Sequence, residues 1–253
     1  MPSVNRTQPQ AIITLSSPIR AGIIAALPME GRCLTKQYLP PQGDAQLPES
    51  LYLQLSGIGP DHAYRAAEML LSAGAKALVS WGVAGGLAPQ LAPGTLLLPK
   101  QVQKINGETY YPDSQWRQRI INYLNYKLPF SGDTLCHTET VIASVAEKER
   151  LYHQTQCVAV DMESAAVAKA ATDAKVPFII IRAIADPAGI SLPITALKAL
   201  NTEGQLQRLS LLISLLKNPK DIIALWQLAK HSRAACTSLR TVVTHVGPAL
   251  LAP

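Results

Sequence analysis

Two acidic residues in this chain stand where short apolar runs end. Glu163 follows the run Val158–Val160, and Asp186 ends a longer run that begins at Phe178. In open α/β sheets, ligands bind beyond the carboxyl ends of the strands. We therefore expect the two carboxylates to share one pocket and to perform acid–base chemistry. The alternative is structural, because Asp161 or Glu163 would also stabilise the N-terminus of the helix that follows.

A third carboxylate, Glu30, stands just beyond the first predicted strand, which covers residues 20–27. A lone glutamate in this place is more often a solvated or helix-capping residue than a catalytic one. The run Gly82–Leu87 follows another predicted strand, and its glycines would let backbone N–H groups approach an anion or a sugar. A tight turn that needs positive φ explains the same glycines.

Other patterns of functional sites are absent or incomplete. Gly57 and Gly59 match part of a dinucleotide-binding fingerprint, but His62 occupies the place of its third glycine, so we reject that function. The five histidines have no metal-ligand spacing, and we predict no metal site. There is no GxSxG elbow of a serine hydrolase. The four cysteines have no redox spacing and are expected to be reduced, mostly buried thiols.

The hydrophobic pattern predicts the elements that position the acids. The central unit is a strand at residues 158–160, an alanine-rich helix to about residue 174 and a buried strand from residue 178. Further strands are predicted at residues 51–55, 77–81, 94–99 and 139–143, and helices at 60–73, 113–127 and 145–154, the last of them charged and exposed. The proline-containing residues 38–50 are predicted to form a surface loop.

Length and composition favour one α/β domain without a membrane span. The chain has 253 residues, of which 48% are hydrophobic, and no apolar run approaches the ~18 residues of a spanning helix. The N-terminal residues 1–10 contain no apolar stretch of a secretory signal, so we expect a cytoplasmic protein. The net charge of +6 suits an anionic partner. The low aromatic content, 5%, and the lack of a Lys/Arg-rich run argue against nucleic acid.

The C-terminal region is predicted to be helical. Residues 193–217 have a long helical pattern, and a basic amphipathic helix begins at Asp221. Its apolar face consists of Ile222, Leu225, Trp226 and Ala229. Such a face is typical of membrane-surface and partner helices, although most of them pack on their own core. We divide the chain into a loose N-terminal extension at residues 1–18, a main domain at 19–217 and a basic helical extension with a tail at 218–253.

Five sequence blocks carry a recognisable pattern: GIIAALPME at 22–30, SGIG at 56–59, GVAGGL at 82–87, VDMES at 160–164 and VPFIIIRAIAD at 176–186. In order and spacing they resemble the nucleoside phosphorylase and nucleosidase superfamily, in particular its methylthioadenosine/S-adenosylhomocysteine nucleosidases. The WGVAGG and Glu-x-Arg stretches and the basic extension are most similar to the hopanoid-biosynthesis-associated phosphorylases, which release adenine from adenosylhopane. The resemblance implies a three-layer α/β fold with a central mixed, mostly parallel sheet and a C-terminal helical extension.

The resemblance also assigns roles. Breaking a ribose–purine bond produces an oxocarbenium-like sugar and a poor leaving group, so the enzyme must protonate the base. By this resemblance Asp186 is the acid at purine N7, Glu163 holds the ribose hydroxyls and supports the developing cation, and Glu30 orients the attacking water. The substrate-binding residues that it implies are Met162, Val83, Ala84, Gly85, Val141 and Ile142.

The nucleophile stays open between water and phosphate. Val83 replaces a serine of the nucleosidase branch, and the usual strand-one phosphate motif of the phosphorylase branch is absent. Arg32 is a candidate phosphate ligand, because its planar guanidinium matches phosphate geometry, but it is equally a surface helix residue. Glu30 favours water, because a carboxylate beside a phosphate dianion is unfavourable.

The resemblance finally implies a homodimer without metal or organic cofactor that acts in hopanoid lipid biosynthesis on a 5′-modified adenosine. A lipid substituent would need an apolar channel or a bilayer, and the basic region 222–240 would suit an anionic leaflet as a peripheral membrane contact. A methylthioadenosine/S-adenosylhomocysteine nucleosidase is the alternative. A nucleoside-binding protein without catalysis and a membrane-peripheral scaffold are two other classes that stay open.

Overall fold

The strands that the structure describes form one mixed sheet with helices on both faces. This computed structural model describes residues 18–124, 127–193, 221–247 and 253. The strands are β1 Ala21–Ala25, β2 Asp44–Leu47, β3 Leu51–Leu55, β4 Leu78–Gly86, β5 Leu96–Leu97, β6 Val102–Lys104, β7 Thr109–Tyr110, β8 Phe130–Ser131, β9 Leu135–His137, β10 Ala159–Asp161 and β11 Phe178–Asp186. The helices are α1 Pro28–Gly31, α2 Pro60–Ser72, α3 Ser114–Leu124, α4 Val145–Thr155, α5 Ser164–Asp173 and α6 Asp221–Val246.

The order of the sheet is β2-β3-β1-β4-β10-β9-β6-β7, and β11 pairs with both β4 and β5. The centre is parallel, because β1 pairs in parallel with β3 and β4, and β4 with β11. Antiparallel pairs are β2–β3, β4–β10, β5–β11 and β6–β7. The expected α/β fold with a mixed, mostly parallel sheet is confirmed.

Both faces of the sheet are covered by helices. Successive residues of a strand point to opposite sides, so the side chains of one strand are buried on both faces. In β11, Ile179 and Ile181 pack on the side of α3 and α6, whereas Ile180 and Ile184 pack on the side of α2 and α5. Strands covered on both faces have continuous apolar runs instead of an alternating pattern. This is why the run from Phe178 could be recognised in the sequence.

The predicted central unit is confirmed as β10, α5 and β11, and three local predictions are wrong. Residues 44–47 form β2, not a loop, since Ala45 and Leu47 are buried and the strand pairs with β3. Residues 139–143 contain no strand. The strand of this region is β9, which ends before them at His137 and pairs with β10 and β6. The helix α4 is not fully exposed, since Lys148 and Leu151 are buried.

The helix α6 is anchored by its C-terminal half. Its buried residues in the core shared with α3 and β11 are Ala235, Cys236, Leu239, Val242 and Val246. The predicted apolar face belongs to the N-terminal half, where Ile222 and Trp226 are 55% and 65% exposed. The helix predicted at residues 193–217 lies, from residue 194 onward, outside the described residues. None of the described helices combines the length and the apolar character that crossing a membrane requires.

Candidate active site

A buried arginine lies at the centre of the candidate site. Arg182, in the middle of β11, is only 1% exposed. Its Nε lies 2.8 Å from Oδ2 of Asp161, and its Nη2 lies 3.7 Å from Oε2 of Glu163. Its Nη1 has no hydrogen-bond partner among the described residues. Sequence reasoning did not single out Arg182, although a lone cation within an apolar strand is a usable signal, because buried arginines need partners.

Backbone N–H groups hold Glu30, which is itself buried. Its Oε2 accepts hydrogen bonds from Ala26 and Leu27 at 2.9 and 2.8 Å, and its Oε1 accepts one from Val83 at 2.9 Å. Val83 therefore contributes to the site through its peptide, whatever its side chain does. Burial raises the pKa of Glu30, and the Arg182 guanidinium and these hydrogen bonds oppose the rise.

Gly82 leaves the space in which Glu30 and Arg182 approach each other. A Cβ atom at this position would lie less than 3.0 Å from Oε1 of Glu30 and from Nη1 of Arg182. Gly82 is also the partner of Arg182 in the parallel register of β4 and β11. The first glycine of the run Gly82–Leu87 is thus explained by a close approach of side chains.

Asp161 and Glu163 act differently at the N-terminus of α5. Asp161 accepts hydrogen bonds from the backbone N–H of Ser164, at 3.3 Å, and from its hydroxyl group, so the capping role falls to Asp161. Glu163 makes no capping hydrogen bond, and its Oε1 accepts one from the N–H of Gly59 at 2.9 Å. Burial raises the pKa of Glu163 to about 7 against the opposing charge of Arg182. At Asp161 the effect of burial is outweighed by Arg182, His137 and the Ser164 hydroxyl group together, so the pKa of this carboxyl group is lowered.

Asp186 ends β11 at an irregularity of the sheet. The pairing of β11 with β4 shifts between Ile184 and Asp186, and Asp186 comes to lie opposite Gly85. Bulges of this kind re-aim side chains next to functional sites. Oδ2 of Asp186 lies 2.7 Å from Nζ of Lys148, whereas Oδ1 has no hydrogen-bond partner among the described residues. Burial raises the pKa of Asp186, and the Lys148 ammonium opposes the rise.

The other predicted substrate-binding residues lie in three separate segments of the chain. Ala84 is buried and Gly85 half-buried in β4, and Met162 is half-buried between Asp161 and Glu163. Val141 is 46% exposed, and Ile142 is half-buried, in the segment before α4. Their contact with a substrate stays a prediction.

Arg32 lies away from the buried cluster. It follows the short helix α1 and is exposed, whereas the cation that acts on Glu30 is Arg182. A phosphate contact of Arg32 therefore stays a prediction, and the described contacts of the buried cluster do not support it. Within the described ranges, no three His, Cys, Asp or Glu side chains are placed to hold a metal ion.

Solved structures of the same fold match almost the whole chain. The 5′-methylthioadenosine/S-adenosylhomocysteine nucleosidase from Neisseria meningitidis, in complex with methylthio-immucillin-A, has a TM-score of 0.65 at 16% identity and covers 89% of this chain and 97% of its own. The S-adenosylhomocysteine nucleosidase from Streptococcus pyogenes has a TM-score of 0.61 at 20% identity, and the match covers 91% of this chain and 98% of that one. The futalosine hydrolase of Helicobacter pylori has a TM-score of 0.62 at 18% identity, and the match covers 88% of this chain and 97% of that one. The nucleoside phosphorylase-like fold is thereby confirmed.

The sequence itself identifies the family. A model described as the phosphorylase superfamily matches residues 46–203, which is more than half of the chain. The protein is therefore an enzyme of the class that cleaves glycosyl bonds. The chain belongs to the phosphorylase superfamily. The matched range includes Glu163 and Asp186 but not Glu30, and no curated protein sequence matches the chain.

Proposed function

We propose that the protein cleaves the N-glycosidic bond of a 5′-modified adenosine and releases adenine. The observation that carries the proposal is the arrangement along β11. At Arg182 the strand meets the buried carboxylates Glu30 and Glu163, and four residues later it ends on Asp186, whose Oδ1 is unpaired among the described residues. At ~3.3 Å per strand residue, the two ends of this site are ~13 Å apart along the backbone.

Each end suits one half of a nucleoside. Glu163, next to the Arg182 guanidinium, would accept hydrogen bonds from the ribose hydroxyls and stabilise the positive charge that develops on the sugar. Asp186 would donate a proton to purine N7, so that the base leaves in neutral form. Burial favours the protonated form of Asp186 that this step needs.

Water is the nucleophile that the charges favour. The carboxylates Glu30, Asp161 and Glu163 all act electrostatically on Arg182. The Arg182 guanidinium is already paired with Asp161, so a phosphate dianion placed beside the cluster would meet repulsion from the remaining carboxylates in their ionised form. A water molecule meets none, and Glu30, held by three backbone N–H groups, is well placed to orient it. The unpaired Nη1 of Arg182 is a donor for the same water.

Substrate turnover tests the proposal. We expect Asp186→Asn and Glu163→Gln to abolish adenine release from methylthioadenosine, adenosylhomocysteine and a 5′-alkyl adenosine, without loss of the fold in circular dichroism. The control is Asp173→Asn, which removes an exposed carboxylate paired with Lys169. Near-normal turnover by either active-site variant would overturn the assignment. Formation of the free sugar without phosphate identifies water as the nucleophile, and a sugar 1-phosphate identifies phosphate.

We further propose that the 5′ substituent is a large lipid of the hopane type and that the enzyme acts in hopanoid biosynthesis. Support comes from the sequence resemblance and from the exposed apolar residues Ile222, Ile223 and Trp226 of α6, which precede the basic residues Lys230 and Arg233. This part of α6 would contact the membrane that holds such a lipid. The substrate series above separates this possibility from a methylthioadenosine/S-adenosylhomocysteine nucleosidase. By the same resemblance we propose a homodimer, to be measured by light scattering.

A further inference from the structure

Lys148 occupies a place that lysine rarely takes. It lies in the N-terminal part of α4, whose other charged residues Glu147, Glu149 and Arg150 are exposed. The Lys148 side chain is 0% exposed. Lysine is almost never fully buried unless it is paired, because an ammonium removed from water loses its solvation. The partners of Lys148 must therefore compensate for this cost.

The ammonium has three acceptors, one for each of its donors. Nζ lies 2.7 Å from Oδ2 of Asp186, and it donates to the carbonyl oxygens of Pro187 at 3.0 Å and Ile190 at 2.7 Å. A lysine with all three donors used has a fixed position. Because Lys148 engages only Oδ2, the second oxygen of Asp186 is left free, and it has no partner among the described residues.

We propose that Lys148 is a positioning residue for catalysis, which holds Asp186 by one oxygen so that the other faces the purine, and whose charge governs how readily Asp186 holds its proton. The inference rests on the proposed function, because it assigns Lys148 a task in the protonation of the base. This role of Lys148 would involve α4 in the chemistry, which the sequence pattern did not indicate.

The charged groups around Asp186 leave this control to Lys148. On its own strand, Arg182 lies four residues away and is paired with Asp161 and Glu163. On β4 and β10, the neighbouring residues Gly85 and Val160 carry no charge. The residues 187–190 that follow have no titratable side chain. Within the described ranges, Lys148 is the cation in ion-pair distance of Asp186.

Two opposing influences meet at Asp186. Burial raises its pKa, and Lys148, by charge and hydrogen bond, opposes the rise. A general acid works best when its pKa lies near the working pH, because a carboxyl group that holds its proton too firmly is a poor donor. Removal of the ammonium would therefore move the loss of the Asp186 proton, and with it the alkaline limb of the pH profile, to higher pH.

The alternative role of Lys148 is purely structural, since two of its three hydrogen bonds fix the backbone of residues 187–190. Three variants separate the two roles. Lys148→Met removes charge and donors, Lys148→Gln removes the charge but keeps an amide that can donate, and Lys148→Arg keeps the charge. The matched control is Lys169→Met, which removes an exposed lysine from an i,i+4 pair with Asp173.

The measurement is kcat/KM for adenine release from methylthioadenosine as a function of pH. We expect Lys148→Met and Lys148→Gln to lower it about 10²-fold at neutral pH and to move the alkaline limb upward by about 1 to 3 pH units. Lys148→Arg should keep the alkaline limb of the pH profile where the wild-type protein has it, and Lys169→Met should match the wild type at every pH.

An equal loss of activity at every pH, or no loss, would overturn the role of Lys148 in proton transfer. Thermal unfolding identifies a variant that fails to fold, and Lys148→Gln, whose amide can still donate to the backbone carbonyls, then decides the question. If the wild-type protein releases no adenine from any nucleoside, the proposed function itself fails. An active wild type with unchanged variants overturns the role of Lys148 alone.

Discussion

At the scale of single residues, the site depends on one guanidinium that faces several carboxylates. Arg182 interacts with Asp161, Glu163 and Glu30, all of them buried. One cation cannot compensate three buried carboxylates, so at least one of them must bind protons more tightly than in water. The paired Asp161 has a lowered pKa, whereas the pKa of Glu163 is raised to about 7. The network thus gives Glu163 a pKa close to neutral pH.

This difference has a consequence for stability. Glu163 has a higher pKa in the folded protein than its usual 4.5, so its contribution to folding is fully present below about pH 4.5 and is lost as the pH rises through about 7. Glu163→Gln does not titrate. We expect its unfolding free energy, relative to the wild type, to rise by about 3 kcal/mol between these pH values.

Denaturant unfolding of both proteins at several pH values measures this difference. The control Glu149→Gln changes an exposed glutamate of α4 and should follow the wild type. A difference between Glu163→Gln and the wild type that stays constant with pH would show that Glu163 titrates normally.

Gly82 permits a second test at this scale. In Gly82→Ala the new methyl group would collide with Glu30 and Arg182, and we expect a stability loss of about 1 to 3 kcal/mol and a loss of activity of about 10²-fold. The control is Gly189→Ala, where nothing lies within 4 Å of the new atom. Activity that survives in Gly82→Ala would mean that the approach of Glu30 and Arg182 is not needed for turnover.

At the scale of elements, α6 has two halves with different surroundings. Its C-terminal half packs in the core beside α3 and β11, and Ser238 donates a hydrogen bond to the carbonyl of Gly94 at 2.6 Å. Its N-terminal half exposes apolar side chains. The C-terminal helix is therefore part of the main fold at one end and a surface element at the other.

Alanine substitutions distinguish the two halves. Leu239 is 0% exposed, and Leu239→Ala should cost about 2 to 5 kcal/mol of unfolding free energy, because a cavity remains. Ile223 is 68% exposed, and Ile223→Ala should change stability by no more than about 0.5 kcal/mol. Equal costs in thermal or denaturant unfolding would contradict this division of α6.

At the scale of the whole molecule, the proposed membrane contact draws on the net charge of +6 and on the exposed half of α6, both of which would suit an anionic surface. The residues Lys230 and Arg233 follow the exposed Trp226 along the helix. An apolar face beside basic residues binds the headgroup region of a bilayer, and the charge contribution weakens with salt.

Liposome flotation tests this contact. We expect the protein to float with anionic vesicles at low salt and less at high salt, and the double variant Ile223→Ser with Trp226→Ser to remain largely in the lower fraction. Tyr123→Ser, which changes an exposed aromatic residue of α3, is the control. Equal flotation of the wild type and the double variant would remove the membrane contact from the proposal.

The pattern of residues along the chain was enough to predict the α/β class, the central unit around Glu163 and the strand that ends on Asp186. Buried parallel strands produce continuous apolar runs, and the site acids stand at their ends. The helix predicted at residues 113–127 is α3, which buries Trp116, Ile120 and Leu124. These features depend on neighbours in the chain, which is why they could be predicted.

Which charged side chains meet became known only from the folded chain. Arg182 and Lys148 were not predicted as site residues. A lone cation within an apolar strand signals that Arg182 needs partners, but the local sequence does not indicate which distant carboxylates either cation meets. The capping role of Asp161, and the freedom of Glu163 to accept the N–H of Gly59, also depend on contacts between residues far apart. Burial and the pairing of charges belong to the assembled fold, and they determine the protonation of the acids on which the proposed chemistry depends.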